Sequence, residues 1–156
     1  MKSKLLIAVI LFVNSLFYCQ KISKIEFHHS NPIIVSNSID ITVEAIKQSK
    51  KDKIKIRVKK GRENEYFLQI SKKKIIKIYN ACQKIEYDTV ALKENLIDGS
   101  STNITLYDNL NNKKDYYAAG LSKKSKDDNF QKDFWYATSL IIKTAGLKMK
   151  DLIDYR

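Results

Sequence analysis

His28 and His29 are the only histidines in the chain, and Glu26 stands two residues before the first of them. On a strand, adjacent side chains point to opposite faces, so the two histidines cannot chelate one ion together, whereas Glu26 and His28 share a face. Two ligands fall short of the three or four that a zinc site takes, and no third lies nearby in the sequence. The chain is therefore read as having no metal site, with its histidines at the surface or rim. Nucleophilic catalysis needs a Ser, Thr or Cys beside a positioned base. No Gly-x-Ser-x-Gly is present, and Cys82 falls on the apolar stripe of an expected helix, where it serves as a small core residue. Asp127 and Asp128 are adjacent carboxylates better explained by helix capping than by acid–base work. The 4 glycines are too dispersed for a phosphate loop. No catalytic residue and no cofactor is assigned, and the chain is read as a non-enzymatic protein.

The charge is uneven. Over 156 residues, 29 Lys+Arg face 17 Asp+Glu, a formal net charge of +12. Positions 47–77 hold 13 basic and 3 acidic residues, a local excess of 13 − 3 = +10. The candidates for a basic binding surface are Lys53, Lys55, Arg57 and Lys59 on one strand and Lys72, Lys73 and Lys74 at a helix start. Cations in the first turn of a helix oppose its dipole, which hints at a use for them elsewhere. A plainer reading competes: a solvated basic face with no dedicated ligand. A chain rich in Lys, Ile, Asn and Tyr reflects an AT-rich genome, and Arg, preferred for bidentate phosphate recognition, supplies only 3 of the 29 basic residues. The partner classes that fit a basic face are an acidic protein, anionic lipid or a polyanionic envelope polymer.

The elements that would position these residues follow from periodicity. Ile22, Ile25 and Phe27 suggest a first strand. Ile39, Ile41, Val43 and Ala45 alternate with Asp40, Thr42 and Glu44. Ile54, Ile56 and Val58 alternate with Lys53, Lys55, Arg57 and Lys59. These last two runs read as an antiparallel hairpin with one wet face, on which acids of one strand meet bases of the next. Tyr66, Leu68 and Ile70 make another strand. Ser71 is positioned to cap an amphipathic helix over 72–84, with Ile75, Ile78, Tyr79, Cys82 and Ile85 on its apolar side. Thr102–Tyr107 and Asp115–Ala119 read as a second hairpin. A polar loop, Ser122–Asp127, leads to a second helix capped by Asp128 and Gln131, with Phe130, Phe134, Ala137, Ile141 and Ala145 on one face. Gly146 and Leu147 suit a Schellman ending. The order strands, helix, strands, helix predicts an α+β domain, an antiparallel sheet with two helices packed on one face.

Lys2 and Lys4 precede an apolar run from Leu5 to Phe17. Thirteen residues at about 1.5 Å each reach about 20 Å, short of a hydrocarbon core of about 30 Å, so the segment reads as a signal peptide rather than a span. The expected division is a leader over 1–19 and one domain over 20–156, exported to the periplasm or beyond the cell. Leu16-Phe17-Tyr18-Cys19 resembles a bacterial lipobox in placing Leu three residues before Cys, and departs from it at Phe17 and Tyr18. It supports an alternative in which a lipidated Cys19 tethers the domain to the outer membrane or cell surface.

Export disfavours nucleic acid as the partner of the basic segment, although Tyr66, Phe67 and Tyr79 interleave with it. Tyr116, Tyr117 and Trp135 are candidate anchors for a protein partner, with core packing as the competing reading. The reading that results is an exported binding module: an envelope accessory, inhibitor or immunity-like protein. The alternative is a small hydrolase whose site is assembled from residues distant in sequence.

Overall fold

The computed structural model describes residues 22–31, 38–44, 53–86, 89–90 and 99–153. The expected leader, Cys19, and the lysines between residues 47 and 51 lie outside the described residues. The chain is an α+β fold. Its strands are β1 (Ile22–Ser30), β2 (Ser38–Glu44), β3 (Lys53–Lys60), β4 (Tyr66–Ser71), β5 (Thr89–Val90), β6 (Ser101–Asp108) and β7 (Lys113–Ala119). Its helices are α1 (Lys72–Cys82), α2 (Lys132–Thr144) and the short α3 (Lys150–Ile153). The sheet runs β4-β3-β2-β1-β6-β7-β5. Six strands pair antiparallel, and only β5 joins parallel, to β7.

The strand alternation sorts the residues. In β3, Ile54, Ile56 and Val58 are buried while Lys53, Lys55, Arg57 and Lys59 are exposed. Ile39, Ile41 and Val43 of β2 and Ile25 and Phe27 of β1 are buried in the same way. Each such side chain contributes about 1.5–3 kcal/mol by leaving water. β1 lies in the middle of the sheet, between β2 and β6. A bulge at its start slips the register between Ile22 and Lys24, which lets Ile22 and Ile25, three apart, both turn inward. Ser23 Oγ secures the bulge by donating to the Asp108 carbonyl at 2.6 Å.

The helices contribute to the same core. Ile75, Ile78, Ala81 and Cys82 of α1 and Phe134, Ala137, Ile141 and Ile142 of α2 are buried with the inward residues of the sheet. Ile78, Ile141 and Thr144 close a void of about 10 Å³ with Ile25, Phe27, Ile41, Val43 and Ile56. Burial pushes the Cys82 thiol up to about 12, so it is an inert core residue. α2 ends as its sequence suggests: Gly146 has φ +76°, its N–H donates to the Lys143 carbonyl, and the Leu147 N–H donates to Ile142. No described helix is long and apolar enough to cross a membrane.

Several local expectations need correction. Asp128 Oδ1 does accept the Phe130 and Gln131 N–H groups, but regular helix begins only at Lys132. Gln131 forms no capping box, because its side chain is buried with Oε1 unpartnered. Phe130 is exposed rather than on the core face, being in the turn before the helix. Ser71 stands at the N-cap of α1 without a side-chain bond. The loop after β7 contains a 3-10 turn, Lys123–Lys126, held by Ser122 and Ser125.

His29 also departs from expectation. It is fully buried, inward on β1 in phase with Ile25 and Phe27. Its Nδ1 lies 2.9 Å from Thr102 Oγ1, and it also bonds the Leu152 backbone, tying α3 to the sheet. Burial, aided by the charge of His28, pulls its pKa from 6.5 down to about 4, against the opposing Leu152 bond. Between those values the unfolded chain takes a proton that the folded chain refuses. Stability therefore falls as pH drops from about 6.5 to about 4, by as much as roughly 3 kcal/mol. Urea melts at pH 7 and pH 4 should show this loss, and His29→Asn should flatten it. An equal acid loss in the variant would assign the effect to other groups.

Candidate functional site

The outward residues of the sheet form a polar face on which the cross-strand register sets neighbours. One row runs Lys59, Asp40, His28, Asn103, Tyr117. The next runs Phe67, Arg57, Thr42, Glu26, Thr105, Asp115. Between the two rows lies a groove of about 260 Å³ lined by Glu26, Phe27, His28, Asp40, Thr42, Asn103 and Thr105. The expectation that acids of β2 meet bases of β3 holds at Arg57 and Glu44; Arg57 also pairs with the turn before β4, and Lys113 pairs within β7. Arg57 lies 3.8 Å from Glu44 and 3.9 Å from Glu65, and Lys113 lies 3.2 Å from Asp115.

Glu26 and His28 share the groove as strand geometry requires, but each is turned to a different partner. His28 Nδ1 is 2.6 Å from Asp40 Oδ1. Glu26 accepts a bond from Tyr107 Oη at 2.7 Å and lies 2.5 Å from Lys24 Nζ. Partial burial pushes the Glu26 carboxyl up, but the bonds from Lys24 and Tyr107 and the charges of Lys24 and Arg57 outweigh it and hold the group below the usual range. Asp115 is also held low, first by the Thr105 hydroxyl at 2.6 Å and then by Lys113, against partial burial. Both carboxylates are thus tuned to stay ionised. Neither has the raised pKa that a general acid needs near neutrality. The Thr105 hydroxyl is committed to Asp115, and Ser30 and Ser101 bond each other at 3.0 Å, so none of these is a nucleophile presented to His28. Among the described residues no group of three His, Cys, Asp or Glu could hold a metal.

The basic candidates divide into two groups. Lys53, Lys55, Arg57 and Lys59 project from β3 on the polar face. Lys73 and Lys74 are exposed and Lys72 half-buried on the first turn of α1. Lys53 pairs in register with Ser71, so Lys72–Lys74 enter at the same end of the sheet edge as Lys53 and Lys55. Toward the other end Lys59 stands opposite Asp40, and at mid-strand Arg57 is engaged by Glu44 and Glu65. Lys55 lies over the Phe67 ring, 3.7 Å from its centroid.

The aromatic anchors do not form one patch. Tyr116 is fully buried and is withdrawn as a surface anchor, because strand parity turns it inward and its neighbour Tyr117 outward, 40% exposed. Trp135 is partly buried against the core. Phe67, one of the aromatics interleaved with the basic segment, is 47% exposed beside Lys55, whereas Tyr66 and Tyr79 are partly buried against the core. Comparison with family models, curated proteins and solved structures gives no match.

The Thr105–Asp115 bond offers a local test. Thr105→Val should raise the Asp115 pKa toward the ordinary aspartate value in an NMR titration of its carboxyl carbon. An unchanged titration would show that Lys113 alone sets it.

Proposed function

We propose that this chain is a non-enzymatic binding module, exported from the cytosol, that meets an acidic protein partner through the basic end of its sheet. We read the fold as two layers, with both helices on the buried face of the sheet and the polar face open to solvent. The observation that carries the functional reading is the gathering of Lys53, Lys55 and Lys72–Lys74 at one end of β3 and β4. Among the described residues no acid pairs with Lys55, Lys73 or Lys74, while Arg57 is already engaged. A local excess of positive charge steers an acidic partner and speeds its encounter. Export rests on the apolar leader, and a lipidated Cys19 would tether the same module to a membrane face. A free Gln20 at the mature N-terminus would remove that tethered form.

A hydrolase is the second reading, favoured by one observation, the 2.6 Å pair of His28 and Asp40 on the groove wall. That pair resembles a base and its orienting acid, but among the described residues no hydroxyl is seen bonded to His28.

Immobilised polyglutamate at low salt tests the leading reading. The protein should bind, and the triple change of Lys72, Lys73 and Lys74 to Glu should weaken binding by about ten-fold or more, with a loss on adding salt. Full binding by the triple variant would mark the basic end as compositional.

A further inference from the structure

β4 ends the sheet. Among the described residues its only strand neighbour is β3, and no backbone bond is seen to its other side. An open edge templates another strand, so the sequence of an edge strand is normally blunted by charge, proline, a bulge or short length where no helix or loop covers it. Tyr66–Ser71 has none of these devices. Its six residues, Tyr-Phe-Leu-Gln-Ile-Ser, include no charge, proline or glycine, and their register with β3 is regular throughout. At the opposite edge the described part of β5 is two residues, Thr89–Val90.

The edge is also tied to the end of α2. Tyr66 Oη donates to the Ala145 carbonyl at 3.1 Å, and Leu68 Cδ1 stands 3.7 Å from the position a Cβ would take on Gly146. The end of α2 thereby braces β4 from below, and a preorganised edge costs an incoming strand less to meet. Tyr66 and Leu68, which face the helices, stay partly exposed at this margin, and Phe67 is exposed on the polar side.

We propose that β4 is a strand-addition site for an extended acidic segment of a partner protein. The segment pairs its main chain with β4. Alternate apolar side chains cover Tyr66 and Leu68. The intervening carboxylates lie on the polar face toward Lys55, and those at the strand end meet Lys73 and Lys74. Charge decides this occupant over a second copy, since a copy brings another formal +12 to the same edge. The inference rests on the reading of the basic end as a binding surface and adds the mode of binding.

A labelled peptide of about nine alternating valine and glutamate residues tests it, by fluorescence anisotropy against the full chain. A version N-methylated along its backbone keeps the charge and loses the donors. The unmodified peptide should bind at least about ten-fold more tightly than the methylated one, the cost of several lost main-chain bonds. It should also slow hydrogen exchange at β4 amides. Equal binding by the two peptides, unchanged β4 exchange, or binding of polyglutamate without the alternating peptide would overturn strand addition and leave the acidic-partner reading standing. Failure of both peptides and polyglutamate at low salt would overturn both.

Discussion

Everything in this molecule depends on the two-residue period of its central strands. Each of β1, β2 and β3 sends aliphatic or aromatic side chains to one side and charged or polar ones to the other, His29 of β1 being the polar side chain that joins the inward set. The inward set carries the stability, at about 1.5–3 kcal/mol for each large side chain removed from water. The outward set carries little, because exposed ion pairs such as Arg57 with Glu44 and Glu65 are worth about 0–1 kcal/mol each. A face that stability does not need is a face that can be given to recognition. The same parity separates His28 from His29: one is in the groove with Asp40, the other is sealed beneath α3.

The strength of local patterning decided how much could be read from the sequence. β2 and β3 were legible because five or more positions in each obey one alternation, and the acid-to-base pairing on the wet face followed from it. The end of α2 was legible because Gly146 and Leu147 make a local motif with its own hydrogen bonds. Tyr116 and Tyr117 were harder, since two adjacent aromatics give no phase of their own and only the strand that carries them does. His29 failed for a related reason. Its polarity argued for the surface, and only Thr102, far along the chain, and the Leu152 backbone make its burial tolerable. The described part of β5 is two residues that pair parallel with a distant strand, so no local signal marks it.

The candidate site was legible in composition and not in layout. A run of lysines over 47–77 suggested one basic surface. The fold divides it, because β3 places its bases on the polar face while α1 carries its own on a helix that begins where β4 stops. The register of Lys53 with Ser71 rejoins part of the run at one end of the sheet edge. Arg57 and Lys59, which looked equivalent to Lys53 and Lys55 in the sequence, are set against acids from β2 and the turn before β4. Charge alone could not have shown that division.

Cysteine scanning of β3 measures the central constraint most directly. Single cysteines at positions 53 to 59 would be labelled with a water-soluble thiol reagent in the folded protein, with the buried Cys82 as an internal control. The account requires strict alternation: rapid labelling at 53, 55, 57 and 59, and labelling slower by about a hundred-fold or more at 54, 56 and 58, as the free energy of opening the core dictates. Uniform rates along the strand, or an inverted phase, would contradict it.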